Sequence, residues 1–87
     1  NFIGYADYRL TGNLNQLTQV IKDNQSNIIL SVSFTLTNAN SGQAVAIKTF
    51  TLNKIADANA KGFANTTNEL AADLSKELND WLITQPL

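Results

Sequence analysis

The sequence contains no histidine, no cysteine and no methionine, and a single proline among its 87 residues. Without His there is no Ser/His/Asp triad, no Cys/His dyad and no imidazole acid–base chemistry. Without Cys as well, zinc, iron–sulfur and haem-thiolate sites lose their usual ligands. Charge of one sign is also missing: six Lys+Arg stand against seven Asp+Glu, a net of −1. That balance leaves no basic footprint for nucleic acid and no polybasic membrane patch. No apolar run approaches the ~20 residues that span a bilayer as a helix. The chain starts at Asn1 with neither a Met nor a charged, apolar leader, so it reads as a trimmed or processed product. No cofactor is expected.

What is present is a folding sequence. Hydrophobic residues make up 44% of the chain, enough for one domain and too few residues for two. A chain this short buries only roughly 60% of its unfolded surface, and it has no disulfide or metal to compensate. Asn is abundant at 12 residues, but it is spread out and forms no low-complexity tract. Two formal glycosylation sequons, at Asn24 and Asn65, carry little weight, and the second falls in a predicted helix.

Three stretches alternate with a period of two, and a fourth has the period of a helix. Tyr8, Leu10, Gly12 and Leu14 share one side of a strand. The rhythm slips near Asn15–Gln16, where one extra residue would exchange the faces, so a β-bulge is predicted there. Residues 22–26 read as a polar hairpin turn. The clearest strand follows: Ile28, Leu30, Val32, Phe34 and Leu36 alternate with Ser31, Ser33, Thr35 and Thr37. One face is apolar and the other carries hydroxyls, as in an antiparallel sheet covered on one side. A second turn spans 38–42, with Gly42 available for positive φ. The third strand is predicted over 44–52. Its two faces are nearly equal in pattern, and Phe50 and Leu52 are taken as inward because they are larger.

After Lys54 the stripe Phe63, Thr67, Leu70, Leu74, Leu78 and Trp81 appears, widened by Ala71 and Leu82. Asp57 is the expected N-cap. Gly62 should weaken the first turns, so the firm helix is expected from about Phe63. Pro86 should end it. The fold class is therefore α+β: a three-stranded antiparallel meander followed by one long C-terminal helix packed on one sheet face. Phe34, Phe50, Phe63, Leu70, Leu74, Leu78 and Trp81 are its expected structural anchors. A helix ~10 Å across cannot cover three strands spaced ~4.8 Å apart with their side chains. Part of the apolar face should stay wet, which suggests that a second helix and further strands belong to a missing N-terminal half of a larger two-layer mixed sheet.

Few residues invite a chemical reading. Glu69, Asp73 and Glu77, with Asp80 beside them, form a stripe in which Lys76 is the only neighbouring cation expected. The leading reading is a solvated face; docking of a basic partner and a hard-cation site are the alternatives. Trp81 is expected in the core, with an interface or lipid-facing aromatic as the alternative. Tyr5 and Tyr8 could line a groove or pack a strand edge. The hydroxyl face of Ser31, Ser33, Thr35 and Thr37 has no base to activate a nucleophile, and suits protein contact. Residues 38–42 have one glycine and no following helix, so they are not a phosphate loop. No catalytic or metal-ligating set emerges, and the chain is not expected to be an enzyme.

The run Ala6-Asp7-Tyr8-Arg9-Leu10, the second alternating strand, the Gly42 turn, the strand ending at Phe50 and the closing Leu78-Asn79-Asp80-Trp81-Leu82 together resemble the C-terminal half of the ABC-type transport auxiliary lipoproteins, which include the paraquat-inducible lipoprotein. The resemblance extends roughly from Ala6 to Leu82. It implies a non-catalytic periplasmic accessory of an ABC transporter, anchored by an N-terminal lipid, in the outer membrane. The implied partner is a periplasmic subunit of the mammalian-cell-entry type, in a system that moves phospholipid between membranes. In that setting Ser31, Ser33, Thr35, Thr37, Glu69, Asp73 and Glu77 are the candidate partner-binding residues, and an edge strand could support homo-oligomers. A small lipid carrier, holding an acyl chain between helix and sheet, is the alternative. It would need a void where Phe34, Leu70, Leu74 and Trp81 are expected to fill the space.

Overall fold

A computed structural model describes residues 7–86. Three strands, β1 (Tyr8–Lys22), β2 (Gln25–Asn38) and β3 (Ala44–Asp57), form one antiparallel sheet in that order, and α1 (Ala60–Ile83) follows. The expected meander and helix are both present. Tyr5 and Ala6, which entered the sequence argument, lie outside the described residues.

The first hairpin closes through two residues. Asp23 and Asn24 both have positive φ (53° and 61°), as a type I′ turn requires and as short polar side chains tolerate. The turn is thus tighter than residues 22–26. Gln25 and Ser26 already belong to β2, and Ser26 is buried, its Oγ donating to the Ala56 carbonyl at 3.3 Å. The predicted bulge is present between Leu14 and Gln16. It moves Leu17 and Ile21 onto the face already occupied by Leu10 and Leu14, opposite Leu30 and Ser26 respectively. In the second turn Gly42 has φ 77°, and Asn38 Oδ1 accepts from the Asn40 and Ser41 amides at 2.9 and 3.2 Å.

Sequence and structure differ at the β3–α1 junction. The strand continues five residues past Leu52, because its ladder to β2 runs on until Asp57 faces Gln25. Asp57 is therefore strand, and Asn59 is the N-cap: extended in backbone (φ −148°, ψ 169°), its Oδ1 accepts from the Gly62 amide at 2.7 Å. The helix is regular from Ala60. Gly62 is not a weak spot in it. A Cβ there would collide with the Asp57 carbonyl oxygen, so the missing side chain lets α1 start directly against the end of β3. At the other end Thr84 caps the helix, two residues before Pro86.

The core lies between α1 and the even-numbered face of β2 and β3. Ile28, Leu30, Ala56 and Leu70 are buried together, with Val32, Leu52, Phe63 and Leu74 packed around them. Farther along, Phe34, Phe50 and Trp81 meet edge to face, with centroids 6.0 and 6.3 Å apart; this joins the last turns of α1 to the sheet. Phe50 and Leu52 point inward as expected. Of the seven expected anchors, Leu70 and Phe50 are buried, and Phe34, Phe63, Leu74 and Trp81 are half-buried in the core or its aromatic edge; Leu78, also half-buried, belongs to neither cluster. Thr66 completes the buried helix face, whereas Thr67 is half-buried and Ala71 is exposed.

Candidate interaction surfaces

Four surfaces follow from this architecture. The first is the odd-numbered face of β2, which points away from α1. Its hydroxyls form a ladder with β3: Ser31 Oγ lies 3.2 Å from Thr51 Oγ1, and Ser33 Oγ lies 2.8 Å from Thr49 Oγ1. Asn15, the bulge residue, donates from Nδ2 to Ser33 Oγ at 2.7 Å. Ser31 is buried by its neighbours on the central strand, and Ser33, Thr35 and Thr37 are half-buried. The four expected contact residues thus share one face, with Arg9 opposite Thr37 near its end, and two of them are already engaged across the sheet. No general base stands among them.

The acidic flank of α1 is the second. Lys76 is not the only cation beside it: Lys54 reaches up from β3 and pairs with Asp73 at 2.9 Å and Glu69 at 3.3 Å. Hydrogen bonds from Lys54 to Asp73, and then to Glu69, raise the lysine pKa above its ordinary value. Lys76 pairs with Asp80 at 3.2 Å, one helical turn along. Sequence reasoning missed Lys54 because it lies 15 residues from Glu69. Its position on the helix-facing side of β3, opposite Ile28, was the only available signal. Glu77 remains exposed, near Lys48 and Thr51. Among the described residues, no three His, Cys, Asp or Glu side chains are grouped to hold a metal ion.

The third is the part of the sheet that α1 leaves bare. The helix packs on β3 and, to a smaller extent, on β2. Leu10, Leu14, Leu17 and Ile21 of β1 are on the same face as the core, yet are 40, 63, 42 and 61% exposed. The uncovered strip expected from the widths is therefore observed, and Tyr8, 37% exposed, extends it at one end. The fourth surface is the free edge of β1, where the bulge interrupts the regular array of backbone groups.

No family model matches this chain, and no curated protein matches it. Among solved structures, a "putative lipoprotein" from Caulobacter crescentus is similar in fold, with TM-score 0.57 and 18% identity, over 90% of this chain and 68% of that one. The likeness establishes a shared fold.

Proposed function

We propose that this chain is a non-catalytic accessory of an ABC-type lipid-transport system of the bacterial envelope, working through protein contacts. The observation that carries the reading is the uncovered apolar strip of β1 beside α1, on a fold shared with the structure described as a "putative lipoprotein". Monomeric proteins rarely leave so contiguous a patch in water, and such patches mark interaction surfaces. The resemblance from Ala6 to Leu82 supplies the finer identity: a periplasmic location, an anchoring lipid in the intact protein, and a mammalian-cell-entry-type subunit as partner. The hydroxyl face around Thr35 and the exposed Glu77 supply further polar contacts.

An acyl-chain carrier finds less support. Ile28 and Leu70 are fully buried where helix meets sheet, and Leu30, Phe50 and Leu74 occupy the space around them.

Photo-crosslinking in envelope membranes of the native host tests the proposal. A crosslinking residue at Thr35, Glu77 or Leu14 should capture the periplasmic transporter subunit from at least one position. Crosslinks to none of the transporter's components from any position would overturn the assignment.

A further inference from the structure

From the residue order of β3 and the charges beside it, we infer that its free edge pairs antiparallel with the same edge of a second copy, about a two-fold axis at Thr51. Two three-stranded sheets then become one, with both helices on the same face. The surface is the sheet edge opposite β1, and the inference rests on no part of the transport reading.

The strand reads nearly the same in both directions. Outward from Thr51, Phe50 mirrors Leu52, Thr49 mirrors Asn53 and Lys48 mirrors Lys54; beyond them Ile47 mirrors Ile55, and Ala46 mirrors Ala56. A two-fold interface sets residue i against j and j against i. Antiparallel self-pairing about Thr51 therefore brings each mirrored pair together across the seam. Ile47 and Ile55 are 67 and 70% exposed, on the sheet face away from α1 and outside the core. In the pair each isoleucine lies directly opposite the other, the cross-strand contact that stabilises a sheet.

The backbone is in phase with this axis. Lys22 and Gln25 flank a two-residue turn, so their amides and carbonyls bond to each other. Alternation along β2 then turns its even-numbered residues toward β3. In β3 it leaves the amides and carbonyls of Ile47, Thr49, Thr51, Asn53 and Ile55 facing the free edge. Neither glycine, proline nor a register shift interrupts residues 47–55, whereas β1 carries its bulge at the opposite edge. The seam ends at Asp57, whose carbonyl already accepts from the Asn59 amide at 2.8 Å. Nor does α1 block it. Leu70 is buried with Ile28 and Leu30 of β2 and Ala56 of β3, which holds the helix over both strands, and Lys54 fills the flank toward the edge.

Lysines on an edge strand discourage indiscriminate pairing, and here they select the register. Within one chain Glu69 and Asp73 share the single ammonium of Lys54, and Glu77 and Asp80 border the same surface depression as Lys48. Self-pairing about Thr51 lays the second copy's Lys48 beside Lys54, next to Glu69 and Asp73. It lays the second copy's Lys54 beside Lys48, next to Glu77 and Asp80. A row of lysines is thus enclosed between two rows of carboxylates, a complementarity that one chain alone leaves incomplete. A shift of two residues either way loses it: Lys54 falls opposite Ala46 or Phe50, and Ile47 opposite Asn53 or Asp57. A foreign strand could bond to the edge amides, but only a second copy supplies the mirrored side chains.

Sedimentation equilibrium of the 87-residue chain, from low micromolar to near-millimolar concentration, should show a reversible monomer–dimer equilibrium. Ile47→Glu should weaken the dimer roughly tenfold or more, because it sets a carboxylate against Ile55. Leu14→Glu, on the β1 strip, should leave it unchanged. Both side chains are exposed, so both variants should fold, which circular dichroism checks. The chain has no cysteine, so introduced thiols report the register. Ile47→Cys and Ile55→Cys chains, mixed under mild oxidation, should form the mixed disulfide in preference to either self-disulfide. Directly opposed residues have Cα atoms about 5.5 Å apart, within disulfide range, whereas like positions are separated by about 27 Å along the seam. Three results would overturn the inference: a monomer at every concentration, a dimer that ignores Ile47→Glu, or self-disulfides as abundant as the mixed one.

Discussion

Two backbone positions and one lysine show how single residues shape this protein. Replacing Gly62 with Ala should raise helix propensity by about 1 kcal/mol, yet the added Cβ meets the Asp57 carbonyl, a backbone atom that cannot swing aside. Steric cost should dominate, and Gly62→Ala is expected to lose about 1–3 kcal/mol in urea unfolding. The opposite holds at Asn24, whose φ of 61° suits glycine better than any other residue. Asn24→Gly should stabilise by about 0.5–1 kcal/mol, seen as a higher urea midpoint at unchanged slope. Lys54 carries a raised pKa because Asp73 and Glu69 hold its ammonium form. Its contribution to stability is fully present below the unfolded-state value of 10.5 and is lost as pH rises through the higher folded value. Lys54→Met should therefore lower the thermal midpoint at pH 8, with the gap to the parent chain narrowing as the pH rises above 10.5.

At the scale of elements, the periodicities could be read directly, whereas their junctions could not. The alternation in β2 and the stripe through Leu70 and Trp81 locate a strand and a helix, because side-chain direction repeats every two or 3.6 residues. The bulge was equally legible, since Leu17 and Ile21 would otherwise have fallen on the polar face. The end of β3 was not. Residues 53–57 carry no strong alternation, and what keeps them extended is their ladder to residues 25–29 of β2. Asn59 rather than Asp57 caps α1 for the same reason, since Asp57 is held in the sheet. Burial along the elements predicts an uneven response to truncation. Leu70, 1% exposed at the centre of the helix–sheet contact, should cost about 2–5 kcal/mol as Leu70→Ala. Leu14→Ala, on a side chain 63% exposed, should remain within about 0.5 kcal/mol. Chemical denaturation of the two variants decides between this ranking and one in which both leucines belong to a closed core.

The whole molecule is long and thin, 59 × 18 × 17 Å, with a radius of gyration of 16.8 Å against roughly 12 Å for a compact chain of this length. Two long hairpins and one parallel helix give length without depth, and the single helix seals only the β2–β3 side. Stability should follow that asymmetry. In hydrogen exchange, amides of β2, bonded on both sides and covered by α1, should be the slowest. Those of β1 should exchange faster by one or more orders of magnitude. Equal protection in β1 and β2 would mean that the bare strip is covered in solution.

Local covalent preference and periodicity are written along the chain, so the sequence by itself determined three strands, one helix, the bulge, the Gly42 turn and the insufficient width of that helix. Which strand would stay uncovered, which cation would meet Glu69 and Asp73, and why Gly62 must lack a side chain were decided only in three dimensions. Each depends on atoms brought together from distant positions, as Lys54 is brought to the acidic flank and the Asp57 carbonyl to the first turn of α1, and no spacing along one segment encodes such an encounter.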